Sequence, residues 1–171
     1  MSAGEGGDVS SGSSGGDAGA RADNRKLARR FYEEFWCEGN ADAADERVAE
    51  DIKHEQFPAC WPRGREGFKR LVHAPRRGFP DMHETILRLF ADGDRVVGHF
   101  RLEGTHVGDF YGVVATGKRV SVEGIDLLRF EHGQIAEWIY FEDALSVFAQ
   151  LGAEPPSEHG RLARKRRSSR R

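Results

Sequence analysis

Cysteines and long apolar runs are scarce in this chain of 171 residues. Its two cysteines are too few for a disulfide framework, and no Cys/His cluster with zinc-site spacing surrounds them, so we expect two free thiols and no metal site. No apolar run approaches the roughly 18 residues that a membrane span requires, and the first residues lack the basic start and apolar stretch of a secretory signal. These absences predict a cytoplasmic protein without a membrane partner.

Glycine and basic residues are plentiful but unevenly distributed. Seven of the 21 glycines fall in residues 1–20, and seven of the 26 basic residues fall in residues 161–171. Neither segment has enough apolar residues to bury a core, so both are predicted to be disordered. The sequence therefore predicts a leader over residues 1–20, one domain over residues 21–153 and a basic tail over residues 154–171.

The predicted domain is acidic, although the whole chain has a formal net charge of only −2. A basic tail can bind nucleic acid, an acidic partner or anionic lipid. This tail has no aromatic residue and is attached to an acidic domain. We therefore expect no nucleic-acid partner apart from a contact made by the tail.

The first half of the domain has the apolar spacing of helices. Asp23 can cap a helix that continues to the stop signal at Gly39, and its apolar residues recur every three or four positions. Shorter helices are predicted over residues 41–50 and 65–73. Residues 54–62 contain two prolines, a Phe and a Trp, which predicts a strand end followed by an aromatic loop.

From Met82 onward the apolar period changes to two, which indicates strands. Four strands are predicted, with tight turns after the first and the third. They cover residues 81–90, 95–106, 118–130 and 135–142. A last helix over residues 144–151 ends at Gly152. Helices followed by an antiparallel meander predict an α+β fold, in which the helices pack on one face of a curved sheet.

One acidic residue lies in an apolar row of the third predicted strand. Asp126 shares a face with Val122, Leu128 and Phe130. An ionisable side chain in such a row is costly unless it is paired, and a dry site would raise its pKa. Asp126 is therefore the first candidate for an acid/base residue. The alternative is that it pairs with a neighbouring His or Arg and only fixes the strand register.

Tyr140 and His106 are the other catalytic candidates. If the hairpin at His132-Gly133 carries a one-residue bulge, Tyr140 lies opposite Asp126, where an acid and a phenol could form an acid/base pair. His106 ends the inward row of the second predicted strand, just before a glycine-rich loop. A His there can act as a general acid/base, or it can be a strand-end residue with satisfied hydrogen bonds.

The loop after the second predicted strand has a distinctive sequence. Residues 104–113 read Gly-Thr-His-Val-Gly-Asp-Phe-Tyr-Gly-Val, and Thr116-Gly117-Lys118 follows. This resembles the G-T-H-x-G-x-(F/L)-x-G-(V/I) signature of SnoaL-like polyketide cyclases, also called ester cyclases, in the NTF2-like superfamily. Further pieces of that family occur in the same order at residues 64–68, 79–81, 129–137, 143 and 150–152. The resemblance covers about residues 24–152.

This resemblance implies a cone-shaped α+β barrel around a hydrophobic cavity, commonly assembled as a homodimer or a higher homo-oligomer. Members of the family include enzymes that close a ring of a polyketide intermediate by intramolecular aldol condensation, without metal or organic cofactor. We therefore expect an aldol-type cyclase or isomerase that acts on a small hydrophobic molecule. In those cyclases an Asp on the last long strand is the general acid/base, and a His on the preceding strand lies close to it.

This sequence departs from the family at both of those positions. Alignment through Arg129 and Gly133 places the family Asp at Tyr140 and the family His at Asp126. Either the chemistry has moved to Asp126, with Tyr140 and His106 assisting, or the chain has another role. The alternatives are an epoxide hydrolase-like enzyme of the same fold and a non-catalytic module for binding or dimerisation.

The candidates for substrate binding are aromatic, aliphatic and polar. The wall residues, each of which could equally be plain core, are Trp61, Phe100, Leu128 and Trp138, with Phe31 and Phe35 from the first helix. The polar candidates are His54 and Gln56. An epoxide hydrolase-like site would need a second inward carboxylate near Asp126. Arg101 and Glu103 lie on the opposite row from Phe100, which counts against it.

Overall fold

The structure is a computed structural model, and it describes residues 14–54 and 60–155. Gln56, most of the predicted leader and nearly all of the basic tail lie outside these residues. The division of the chain into leader, domain and tail therefore stays a prediction.

The first helix is longer than the sequence predicts. Helix α1 spans Ser14–Phe31 and continues as a π-helical segment over Tyr32–Cys37. It begins at Ser14 rather than at Asp23. The alanines and the arginine directly before Asp23 have good helix propensity, and the helix also includes three glycines of the predicted leader. The predicted end is confirmed, since Gly39 follows the segment with a φ of 73°.

The second predicted helix is wrong beyond Arg47. Helix α2 spans Ala43–Arg47, and strand β1 follows directly over Val48–Lys53. Strand β1 pairs in parallel with a later strand, and its Val48 and Ile52 are buried. Those strand contacts outweigh the weak helix propensity of this segment. Helix α3 spans Gly64–His73, and a single 3₁₀ turn follows it.

The predicted meander is confirmed, and β1 extends it. Within the described residues the sheet has the order β1-β5-β4-β3-β2, with only β1 parallel to its neighbour. The four meander strands are β2 His83–Asp92, β3 Arg95–Thr105, β4 Arg119–Glu131 and β5 Gln134–Glu142. Helix α4 spans Ala144–Leu151, and the Asp143 side chain caps it. The fold is α+β, as expected, with an open sheet in a cone-like arrangement.

The register of the last hairpin brings two predicted site residues together. His132 and Gly133 form a two-residue turn with φ values of 50° and 77°. The ladder pairs Arg129 with Glu137 but Phe130 with Ile135, so β5 has one extra residue. The expected pairing of Asp126 with Tyr140 is confirmed. The bulge lies within β5 and not in the turn itself.

Helices and the inner face of the sheet share one aromatic core. The rings of Phe31, Phe35 and Phe68 lie within 5.1 to 6.0 Å of one another, and Phe68 lies 5.0 Å from Trp138 on β5. This core fixes α1 and α3 against the sheet and leaves the inner face beyond Trp138 uncovered. Among the residues that the structure describes, none of the helices combines the length and the apolar character needed to cross a membrane.

Candidate active site

A cavity of about 410 Å³ lies over the inner face of the sheet. Its floor is formed by β2 to β5, and its rim by α3, the turn after α3 and the loop between β3 and β4. The wall is largely aromatic, with Trp36, Trp61, Phe79, Phe100, Phe110 and Trp138. Five acidic residues contribute to the wall, whereas no Lys or Arg of the described chain does so. The site is therefore apolar and acidic.

Most of the candidates from the sequence meet in this cavity. Asp126, Tyr140, His54, Trp61, Phe100 and Trp138 all line it. Leu128 does not, because it is fully buried in the core beside them. Gln56 lies outside the described residues.

His106 lies behind the cavity wall and not in it. Its ring is fully buried and stacks on Phe79, which does line the cavity, with ring centroids 5.1 Å apart. The backbone N–H of Thr116 donates to His106 Nδ1 at 3.3 Å, and the Thr116 hydroxyl lies 3.1 Å from the same nitrogen. The backbone of His106 also pairs with Lys118 and Gly117. These contacts make His106 the anchor of the glycine-rich loop.

Asp126 projects from β4 into the cavity and is only 1% exposed. Across the sheet it pairs with Gly98, and the hydroxyl of Tyr32 lies over that glycine. A Cβ at position 98 would collide with the Tyr32 hydroxyl. The absence of a side chain on Gly98 therefore gives Tyr32 its place beside Asp126.

Burial raises the pKa of Asp126 to about 7, and the nearby polar hydrogens of Tyr32 and Trp138 limit the rise. The charge of Glu142 adds to it. At this pKa the carboxyl can both accept and release a proton near neutral pH, which suits a general acid/base. The Oδ1 atom of Asp126 has no hydrogen-bond partner among the described residues.

Glu84 is a second buried carboxyl in the cavity, and it is not among the candidates that the sequence pattern predicts. It lies on β2, is 5% exposed, and its Oε1 has no partner among the described residues. Burial, and then the charge of Asp126, raise the pKa of Glu84 well above its usual value, while Arg76 opposes the rise. The row Met82, Glu84, Ile86 has the same pattern that identified Asp126, an acid among apolar residues.

Three side chains of β5 and one beside it complete the polar part of the site. His54 Nδ1–H donates to the carbonyl of Trp138 at 3.0 Å, and burial lowers the pKa of His54. The Tyr140 ring stacks on Trp138 at 4.9 Å, and burial followed by the charge of Glu142 raises the pKa of Tyr140. Glu142 lies at the exposed mouth of the cavity. Partial burial of its carboxyl raises its pKa. At neutral pH, His54 and Tyr140 are therefore uncharged.

The nearest guanidinium is held away from the cavity. Arg76 Nη1 donates to the carbonyl of Val72 at 2.8 Å, and Nη2 donates to the carbonyl of Trp36. Within the described part of the chain, no three His, Cys, Asp or Glu side chains are grouped as a metal site. The residues present can bind an uncharged molecule and transfer protons to it.

Comparisons with known proteins show which family the chain resembles. The model of the family described as SnoaL-like polyketide cyclase matches residues 26–151. Over 141 residues the chain is 33% identical to the aklanonic acid methyl ester cyclase DauD of Streptomyces sp. (strain C5). The aligned region covers 78% of this chain and 84% of DauD. Over 99 residues it is 33% identical to the aklanonic acid methyl ester cyclase DnrD of Streptomyces peucetius, covering 57% of this chain and 68% of that protein.

A solved structure shows the same fold. The structure of TsrD from Streptomyces laurentii superposes with a TM-score of 0.70 at 28% identity, covering 78% of this chain and 98% of TsrD. The cavity and its carboxyl groups therefore lie in a fold shared with these proteins.

Proposed function

Because the chain belongs to the SnoaL-like polyketide cyclase family, we propose that it closes a ring of a small hydrophobic polyketide-type intermediate by an intramolecular aldol-type condensation. The observation that carries the proposal is Asp126, a buried carboxyl with a pKa of about 7 in the wall of an aromatic cavity. The names of the relatives as cyclases support an enzymatic role. The cytoplasmic location expected from the sequence stays a prediction.

In this reaction Asp126 is the general base. Ionised Asp126 removes a proton from a carbon next to a carbonyl of the substrate. The resulting enolate carbon attacks a second carbonyl carbon of the same molecule, which forms the C–C bond of the ring. The oxygen of that second carbonyl gains a proton, so the product is an isomer of the substrate. A suitably placed base contributes about 10²- to 10⁴-fold to the rate of such a proton transfer.

The neutral polar groups of the site fit the enolate. Tyr140 pairs with Asp126 across the sheet and keeps its phenolic proton at neutral pH, so it can donate a hydrogen bond to the enolate oxygen. The stacked rings of Trp138 and Tyr140, with Phe100 and Trp61, offer flat apolar surfaces for an unsaturated or aromatic chain. Folding the chain against these walls brings its two reacting carbons together.

The charge of the cavity favours a substrate without a free carboxylate. Glu84, Asp126 and Glu142 face the cavity, and the described wall has no Lys or Arg to offset them. A carboxylate in this apolar and acidic space would be left buried without a cationic partner. An esterified acid avoids that cost, and the relatives' names specify a methyl ester. We therefore propose a neutral polyketide ester as the substrate.

Asp126→Asn tests the proposal directly. The purified protein is incubated with a panel of poly-β-ketone methyl esters, and isomeric products are separated and detected by mass spectrometry. We expect turnover by the wild type and a loss of about 10²- to 10⁴-fold in kcat for Asp126→Asn. Asp51→Asn, on the exposed side of β1, is the matched control and should keep the wild-type rate. An Asp126→Asn variant with the full rate would contradict the proposal.

An epoxide hydrolase-like reaction is the second candidate, and Glu84 is the observation that favours it. Such a site needs a second inward carboxylate, which the sequence analysis did not find and the structure provides. It also uses an arginine to position water, whereas Arg76 donates to backbone carbonyls outside the wall. Incubation with apolar epoxides in ¹⁸O-labelled water distinguishes the two. A labelled diol would support hydrolysis, and its absence with an isomeric product from the ester panel would support cyclisation.

A further inference from the structure

Two carboxyl groups face the cavity from strands that are not adjacent. Glu84 on β2 pairs with Leu102, and Asp126 on β4 pairs with Gly98, so β3 lies between them. Both side chains are at least 95% buried, at 5% and 1% exposure. Each has one carboxyl oxygen without a hydrogen-bond partner among the described residues. Each of the two residues therefore has a buried carboxyl oxygen that is available to a ligand in the aromatic cavity.

The groups around this pair leave its charge largely uncompensated. Tyr32, from the π-helical segment, lies beside Asp126. Burial raises the pKa of Tyr32, and the charges of Asp126 and Glu84 raise it further. The Cys37 thiol donates to the backbone carbonyl of Glu84 at 2.8 Å, so it does not pair with the Glu84 carboxyl. The only cation that acts on Glu84 in the described chain is Arg76, whose Nη atoms donate to backbone carbonyls.

On the β5 side the pair faces a third acid and neutral rings. Glu142 acts on both carboxyls with a charge of the same sign. Tyr140 lies opposite Asp126, and His54 stacks beside Trp138 with its pKa lowered by burial. None of these groups supplies a positive charge at neutral pH. Two carboxyls in such a site cannot both ionise readily, and one keeps its proton.

The partners of Glu84 and Asp126 on β3, Leu102 and Gly98, are four residues apart, so the two carboxyls act on each other through their charges and not by contact. From this arrangement we propose that Glu84 and Asp126 hold one proton between them across the cavity and act together on one ligand, with Glu84 as the acid that protonates the acceptor carbonyl oxygen and Asp126 as the base. The assignment of the two roles rests on the proposed cyclase function. The sharing of the proton rests on the cavity itself.

The proton balance of the reaction closes with these two groups and solvent. Asp126 takes the proton as the C–H bond breaks, and the new C–C bond forms between the enolate carbon and the second carbonyl carbon. Protonated Glu84 gives its proton to the oxygen of that carbonyl, which becomes a hydroxyl. Asp126 is then protonated and Glu84 ionised, and the starting state returns when Asp126 releases one proton to solvent and Glu84 takes up one. Nothing is oxidised or reduced, and no co-reactant is consumed.

Glu84 suits the role of acid better than Tyr140 does. Burial raises the pKa of Tyr140 above that of a free phenol, which makes it a weaker acid. Burial also raises the pKa of Glu84, which favours its protonated form, but it starts from the value of a carboxyl, far below that of a phenol. Tyr140 therefore holds the enolate oxygen by a hydrogen bond, and Glu84 transfers a proton.

A titration of the carboxyl groups tests the shared proton without any substrate. The protein is labelled with ¹³C at the side-chain carboxyls of Asp and Glu, and the two signals are assigned with Glu84→Gln and Asp126→Asn. In the wild type we expect one step near pH 7 and a second step at higher pH, with Glu84 protonated through the first. Glu84→Gln should keep only the first step. Asp126→Asn should keep only the Glu84 step, moved to lower pH because the neighbouring charge is gone.

The opposite results would overturn the pair. A Glu84 carboxyl already ionised below the first step, or a Glu84 step that Asp126→Asn leaves unmoved, would show that the two groups titrate independently. The carboxyl infrared absorption of the unlabelled wild type gives the same count of protonated groups without any variant. If Glu84→Gln does not fold, Glu84→Asp assigns the signal instead, because the carboxyl carbon then moves from the Glu region to the Asp region of the ¹³C spectrum.

Kinetics then test the role of Glu84. Glu84→Gln should lower kcat by about 10²- to 10⁴-fold, and Glu84→Asp should restore part of it. The wild-type rate should rise as Asp126 ionises and fall as Glu84 ionises, and Glu84→Gln should lose the alkaline fall. Glu46→Gln, at an exposed position, is the control that should keep the full profile.

The kinetic outcomes separate the pair from the cyclase function. An unchanged rate or an unchanged alkaline limb in Glu84→Gln would refute the acid role. If the wild type converts no ester, the proposed function fails, while the titration still decides whether the two carboxyls share a proton.

Discussion

Asp126 makes the stability of this protein depend on pH. Its pKa in the folded chain is about 7, against 3.8 for a free aspartate, so the folded state binds a proton more tightly than the unfolded state. Its contribution is fully favourable below the unfolded pKa and is lost as the pH rises toward 7. Each unit of pKa shift corresponds to about 1.4 kcal/mol, so the total loss is on the order of 4 kcal/mol.

We therefore expect Asp126→Asn to gain stability relative to the wild type as the pH rises. The amide cannot ionise, so the variant lacks the cost that the wild type incurs between the unfolded and folded pKa values of Asp126. Urea unfolding of both proteins, from acid to mildly alkaline pH, gives the difference in free energy of unfolding at each pH. A difference that stays constant across this range would contradict the raised pKa.

Asp126 and Glu84 also show how far the sequence predicts single residues. Asp126 could be identified because its long strand alternates cleanly over Val120, Val122, Leu128 and Phe130. Glu84 lies on β2, where the register shifts between Ile86 and Arg88, so its apolar row is short and interrupted. Burial of His106 behind Phe79 was not predictable, because it depends on how the loop folds back over the turn after α3.

At the scale of elements, the π-helical segment Tyr32–Cys37 determines which side chains surround Asp126. It buries Tyr32, Phe35 and Trp36, with Tyr32 over β3 and Trp36 in the cavity wall. A π-helical turn is wider than an α-helical one and often occurs at functional sites. The contact between this segment and β3 depends on Gly98.

Gly98→Ala should damage both packing and the site. The added methyl group collides with the Tyr32 hydroxyl, so we expect a loss of about 1–3 kcal/mol in stability. We also expect a higher pKa for Asp126, because the collision displaces Tyr32, which lowers that pKa. Urea unfolding and carboxyl titration measure the two effects. In a double-mutant cycle with Tyr32→Phe, the cost of Gly98→Ala should shrink. Equal costs in both backgrounds would show that the collision is not with the hydroxyl.

The elements themselves were largely predictable from periodicity, with one instructive failure. The meander strands have a clean period of two, and the turn at His132-Gly133 has residues that accept positive φ. Strand β1 was missed because Val48 and Ile52 are four residues apart, which is the spacing of a helix. That segment is a strand because it pairs with β5, which is far away in the sequence. The local sequence carries no sign of this pairing.

For the whole molecule, the outer face of the sheet is where we expect the homodimer that the family resemblance implies. Ile125 and Phe141 are paired across β4 and β5 and are 50% and 67% exposed. Beside them Glu123 bonds both Arg101 and His99, so the face carries charges of both signs. An apolar pair flanked by charges of both signs can pack against a second copy of itself, so we propose this face as the dimer surface.

Phe141→Glu should convert the dimer to a monomer, because it buries a charge in an apolar contact. Leu145→Glu is the matched control, since Leu145 is 69% exposed and lies on α4 rather than on the sheet, and we expect it to leave the assembly unchanged. Analytical ultracentrifugation over a range of concentrations measures the association. A monomeric wild type, or a Phe141→Glu variant that still associates, would contradict this surface.

Strand β5 has a consequence for how assembly and chemistry interact. Its inner row carries Trp138, Tyr140 and Glu142 into the cavity, and Phe141 between them faces outward. A single layer of backbone therefore separates the ligand from the expected neighbour. If a ligand shifts this strand, it must change the dimer dissociation constant by the same factor by which dimerisation changes ligand affinity. Substrate would then act as an effector of assembly, and protein concentration would tune its binding.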